Sequence, residues 1–347
     1  MANPGEAECC FGAKAILKRT EVAARQMSVV RENRDVEAVH DMRVACRRLR
    51  TALELFEDCA SLEKARAWRK AIRRVTRALG EARDIDVQIQ FVASFLEGVQ
   101  EVRLRPGIRR LLLRLRQRRQ ALQADVIDSL EWLEQKGVLV QIEQALGPVL
   151  AHGQLSRADV KGPDVRRRAD RAIAARLEQM LGYEPFIEQP EQVEQLHAMR
   201  IAAKHLRYAM EIFDPLYSKD FGGTIRTVRQ VQTRLGEIHD CDVWIAWLPV
   251  FLEQERQRTV EYYGTAGTMS RLVPGIEHLR AERQARRQEY HQEFLRFWQG
   301  LREQDTWGSL YQMVAPTPQA GAEQPQAELP AGRTPRLSKQ TRGGGST

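Results

Sequence analysis

No apolar run in the 347 residues approaches the roughly 18 that a membrane-spanning helix needs, so no membrane partner is expected. The opening residues, MANPGEAECCFGAK, lack the basic and apolar regions of a secretory signal. Cysteine is scarce: Cys9, Cys10, Cys46, Cys59 and Cys241 are odd in number and form no CxxC pair. That favours reduced thiols in the cytoplasm and argues against a thiolate zinc site. The chain contains no GxxxxGKS/T loop, no HExxH and no GxSxG, so the familiar nucleotide, zinc-protease and serine-hydrolase signatures are missing. Acid is short relative to base, with 46 Asp and Glu against 54 Lys and Arg, a formal charge of +8. That balance favours nucleic acid, phosphate polymers or anionic lipid as partners.

Convincing β-strand runs are absent too. From about residue 11 to 313 nearly every segment has helical periodicity, broken only where Gly and Pro cluster. The expected fold is all-α and duplicated, with a first half over 11–150 and a second over 160–313. The stretch from Gly147 to Pro163 is the expected linker. Beyond 314 the composition turns to Pro, Gln, Gly, Ala and Thr, as in a disordered tail (314–347).

The organising stretch is VHDMRVACRRLRTALELF, from Val39 to Phe56. At about 100° per residue, Met42, Ala45, Leu49, Ala52, Leu53 and Phe56 share one side. His40, Arg43, Arg47 and Arg50 fall nearly opposite, one cationic group per turn over roughly 15 Å. A solvated face usually alternates acid and base, because like charges stacked turn on turn repel. A merely solvated Arg-rich face remains a fair reading of this helix alone, but the chain repeats it. LHAMRIAAKHLRYAMEIF, from Leu196 to Phe213, places His197, Arg200, Lys204 and Arg207 in the same row at an offset of 157. The terminating acid recurs as well, Glu54 becoming Glu211.

Two further segments repeat. Lys70, Arg73, Arg74 and Arg77 line one face of a third helix, and Arg226 and Arg229 match the first two of them. Both copies then read LGExxDxDV, with Asp84 and Asp86 answered by Asp240 and Asp242. Gly suits a helix end and Asp a cap on the next helix. Alternatively, these carboxylates hold the arginines of the neighbouring row by charge-assisted hydrogen bonds, or bind metal. A fourth helix follows Pro-Gly-Ile in each half. Its first copy carries eight arginines and no acid between Arg103 and Arg119, most of them expected to meet water. Arg119 and Arg287 fall instead on the apolar side, where a charge is costly unless paired. Either their stems snorkel out or both reach a shared charged channel.

HxxRxxxRxLR followed by LGxxxDxDV, present twice in a helical chain, resembles the CHAD family of histidine-bearing α-helical domains. The resemblance covers about residues 11 to 313. It implies two four-helix bundles related by pseudo-twofold symmetry around a basic channel, and binding of inorganic polyphosphate, often at polyphosphate granules. Carried over by position, the binding candidates are His40, Arg43, Arg47, Arg50, His197, Arg200, Lys204 and Arg207, then Lys70, Arg73, Arg226 and Arg229. Arg74, Arg77, Arg119 and Arg287 join them from the basic faces described above. No cofactor, metal or catalytic residue is expected. Nucleic-acid binding through the same rows is the main rival, although no recognition-helix motif is present. A metal-dependent phosphohydrolase built on His40-Asp41 and His239-Asp240 is the weaker rival, because neither pair survives the duplication. His40 and His197 are expected to tighten binding as pH falls below about 7.

Overall fold

Why the chain forms helices is plain in α2 (Val36–Leu55): the stripe of Met42, Ala45, Leu49, Ala52 and Leu53 is buried along one side. The computed structural model describes residues 5–31, 36–218 and 221–315. Among the described residues there are ten α-helices and no strand. In the first half α2 is flanked by α1 (Glu6–Arg31) and α3 (Leu62–Gly98), with α4 (Arg105–Gln135) and α5 (Val138–Leu155) following. The second half runs α6 (Pro163–Leu181), α7 (Val193–Phe213), α8 (Phe221–Tyr263), α9 (Val273–Glu303) and α10 (Thr306–Val314).

Within each half successive helices pack together, and the last returns to the first: α5 lies on α1 and α10 on α6. Between the halves three helices meet their own counterparts, α1 with α6, α2 with α7 and α4 with α9. That is the pattern a twofold relation produces. It is written at residue level where α4 and α9 begin. A Cβ on Gly107 would strike the carbonyl oxygen of Leu272, and a Cβ on Gly275 would strike that of Leu104. The repeated Pro-Gly-Ile therefore marks a close helix crossing that only glycine permits. The rings of Phe11, Phe56 and Phe213 cluster between α1, α2 and α7 with centroids 5.7–5.9 Å apart. Phe56 and Phe213 are duplicated positions, so the halves share one core rather than folding as separate globules. A second core joins α3 and α4 to α8 and α9 around Ile108, Leu111, Trp244, Phe251 and Ile276.

Several boundaries differ from the sequence expectation. The expected linker is mostly α5, which passes through Gly147 and Pro148 to Leu155, leaving 156–162 as the connection. Burial of Ile142 and Leu146 in the shared core outweighs the hydrogen bond that an interior proline forfeits. Each half thus has five helices, not four. The LGE glycines do not end a helix either, since α3 and α8 run unbroken through Gly80 and Gly236. The expectation of reduced thiols fails at Cys9 and Cys59, which form a disulfide with Cα atoms 5.0 Å apart, while Cys10, Cys46 and Cys241 are free and buried. The disordered-tail reading falls beyond residue 315, outside the described residues. No helix among the described residues is long and apolar enough to cross a membrane.

Candidate functional site

Along the α2–α7 contact the two cationic rows converge. The clearest sign is Lys204, whose ammonium is pushed down to about 8 from the ordinary 10.5. Burial is the first cause, and the charges of Arg47, Arg200, Arg43 and Arg50 follow. Three of those four arginines come from the opposite helix. Arg47 and Arg50 are likewise held below the usual guanidinium range, first by burial. For Arg50 the next cause is Arg73, which brings the third helix to the same place. The Nε atoms of Arg47 and Arg200 are buried without a hydrogen-bond acceptor. Gly236 leaves room for Arg200, whose Nε lies 3.4 Å from where a Cβ would stand.

Carboxylates bound the cluster rather than fill it. Arg43 reaches Asp84 at 3.4 Å, and Asp240 lies within electrostatic reach of Arg200 and Asp84. Further along, Arg207 is bound by Glu211 and donates to Gln232 at 2.9 Å. Glu211 also takes Arg48 at 3.2 Å and Arg229 at 3.7 Å. Its counterpart Glu54 takes Arg69 at 3.4 Å and Arg176 at 3.1 Å. Between these ends, Arg47, Arg50, Arg200 and Lys204 have no ion pair among the described residues.

The pairing is reciprocal across the halves. Arg176 of α6 meets Glu54 of α2, and Arg19 of α1 feels Glu211 of α7. Each of these arginines also donates to the carbonyl four residues back, Arg19 to Ala15 at 2.8 Å and Arg176 to Ala172 at 3.1 Å. The sequence reading passed over this pair, although it sits at the same offset of 157 as the rows themselves. Tyr208 was passed over too. Its buried ring lies between Arg47 and Arg207, at 6.0 and 4.6 Å from their guanidinium carbons.

Most of the other candidates disperse. Lys70 and Arg77 are exposed on α3, as is Arg73 at the edge of the cluster near Arg50, and Arg74 stacks on Trp132 at 4.3 Å, on the α4 side. Arg226 lies back along Gly222 and Gly223 at the start of its own helix. Arg119 donates to Asp86 at 2.8 Å, and Arg287 is held by Asp242 while donating to the Pro190 carbonyl at 2.6 Å. The second aspartate of LGExxDxDV is thus the latch for the fourth-helix arginine in both copies. Capping is not its role, because the helix continues. Among the remaining arginines of α4, Arg110 and Arg114 stay partly exposed while converging on the fully buried Glu255 of α8.

The histidines have matching surroundings. Nδ1 of His197 lies 3.0 Å from Nδ1 of His239, so one ring must donate and the other accept. Burial, then His197 and Arg200, push His239 down to about 4. His197 is lowered by burial, Arg200 and Lys204. His40 is lowered by burial and then by Arg83, which occupies the duplicated position of His239. In the empty site burial and neighbouring cations thus disfavour the charged form of all three rings. No group of three or more His, Cys, Asp or Glu arranged to hold a metal occurs among the described residues.

Duplicated helices with facing cationic rows define a class of all-helical, internally repeated proteins. The chain belongs to the CHAD domain family, which it matches over residues 14–249. A solved structure similar in fold is the crystal structure of the CHAD domain from the plant Ricinus communis. It is 23% identical with a TM-score of 0.57, over 84% of this chain and 93% of that one. No curated protein matches.

Proposed function

We propose that the facing cationic rows of α2 and α7 form a groove that binds inorganic polyphosphate without turning it over. The observation that carries this reading is Lys204, buried among four arginines from both rows with no carboxylate paired to it. Such a cluster repels itself and calls for an anion. An unbranched polymer with about one charge per phosphate satisfies several cations in succession along a narrow row. Arginine forks onto phosphate oxygens while lysine adds a point charge. The orphaned Nε donors of Arg47 and Arg200 fit this, since each needs an acceptor that the chain does not provide. Family membership points the same way. In this reading the protein works in the cytoplasm at polyphosphate granules, needs no cofactor, and holds its ligand through His40, Arg43, Arg47, Arg50, His197, Arg200 and Lys204.

Filter binding of labelled long-chain polyphosphate tests it. Arg43→Ala with Arg200→Ala should weaken binding at least tenfold, and wild-type affinity should fall steeply with salt as condensed counterions are released. Undiminished binding by the double variant would overturn the site. Displacement by short DNA or RNA at equal phosphate concentration would transfer the groove to nucleic acid. Phosphate release on adding a divalent metal would overturn the non-catalytic part.

A further inference from the structure

The arginines of α4 that the groove does not use lead to a second site. On α8, Thr259 is about 30 Å along the helix axis from His239, so this end of the molecule is remote from the rows. A cavity of about 410 Å³ opens there between α4 and the end of α8, within the size range of small-ligand pockets. Arg110, Arg114 and Arg258 line it, together with Glu261, Tyr262 and Tyr263.

Three observations define its chemistry. Glu255 is fully buried beneath the cavity and accepts from Arg110 at 3.1 Å, Arg114 at 2.7 Å and Arg258 at 2.7 Å. One carboxylate cannot neutralise three guanidinium groups, and each of those groups has five N–H donors. Arg110 and Arg258 each make one hydrogen bond to Glu255 and keep 39% and 49% of their side chains exposed, which leaves donors open to a ligand. Glu255 thus fixes three cations in place and leaves surplus positive charge at the surface. Beside them, Tyr262 and Tyr263 are 81% and 66% exposed, with ring centroids 4.8 Å apart in an edge-on arrangement. Two adjacent tyrosines left in water beside fixed arginines offer stacking faces next to an anion site.

We infer that this cavity binds a nucleoside phosphate, the base against the tyrosine rings and the phosphates on Arg110, Arg114 and Arg258. Glu261 at the same cavity would repel a bare phosphate chain, and its carboxylate can accept from the exocyclic amino group of a base. The ligand is therefore expected to carry an amino-bearing base, either as a free nucleotide or as a residue of a single strand.

Equilibrium binding of labelled ATP and of a short oligoadenylate to the full chain distinguishes the two sources. Binding of either is expected, and Tyr262→Ala with Tyr263→Ala should weaken it roughly tenfold or more. Those positions are exposed, so polyphosphate binding in the α2–α7 groove should not change in the same variant. Arg43→Ala with Arg200→Ala should leave ATP binding intact, which separates this inference from the proposed groove function. Three results would overturn it: no ATP or oligoadenylate binding by the wild type, equal affinity for inorganic triphosphate and ATP, or loss of ATP binding in the groove variant alone.

Discussion

At Lys204, burial and four arginines act in the same direction, and the consequence is a measurable pH dependence. The ammonium in the empty folded protein loses its proton near pH 8, whereas the unfolded chain keeps it to about 10.5. Between those values the unfolded state holds more protons, so this group makes the empty protein more stable as pH rises through the window. Ligand affinity runs the other way. A bound polyanion restores the proton, so affinity should hold below pH 8 and then fall by up to roughly tenfold per pH unit. Lys204→Met should remove that slope, and Lys204→Arg should keep the affinity while removing it. Polyphosphate Kd measured from pH 7 to 10 decides the matter; a flat wild-type profile would show that Lys204 does not meet the ligand. The histidines add a dependence at the acid end. Burial and neighbouring cations lower them, so tightening should continue below pH 6.5 instead of levelling off there.

Scaling up to elements, the latch between the LGExxDxDV aspartate and the fourth-helix arginine ties α3 to α4 and α8 to α9. Arg119 and Asp86 are nearly out of solvent, at 16% and 6% exposure. Removing one partner strands the other, so Arg119→Met should cost about 3 kcal/mol of stability in a denaturant titration. Its effect on polyphosphate affinity should stay within about twofold, because the guanidinium is occupied within its own half. A large loss of affinity with unchanged stability would instead restore Arg119 to the ligand site. This latch also shows where sequence reading stops. The rows of α2 and α7 were legible because their period is local and the chain states them twice. The odd placement of Arg119 and Arg287 was legible for the same reason, and so was an arginine-holding role for the aspartates, though for the neighbouring row and not for these two. Which arginine each holds was not, since it depends on how α3 lies against α4. Gly80 and Gly236 could not be read as mid-helix glycines, because what carries α3 and α8 past them is packing against other helices. Pro148 hid α5, and a sequence separation of 50 between Cys9 and Cys59 hid the disulfide.

Over the whole molecule, the pairing of α1, α2 and α4 with their counterparts α6, α7 and α9 forces like charges together along the line where α2 meets α7. The empty protein therefore holds repulsion that hydrophobic burial in the shared core must outweigh. Two consequences of opposite sign follow. Polyphosphate at about 100 times its Kd should stabilise the folded state by about 2.7 kcal/mol, which raises Tm by several degrees. Arg43→Ala with Arg200→Ala should raise the Tm of the empty protein, because the repulsion is relieved, while abolishing most of the ligand-induced increment. A general stabiliser would not couple the two changes, and an arginine important for packing would lower the empty-state Tm. Thermal melts of both proteins with and without polymer, at low and high salt, separate these cases. High salt should also shrink both effects, since screening weakens the repulsion and the attraction alike. If the double variant melts lower than wild type and still responds fully to polymer, the rows do not share a ligand.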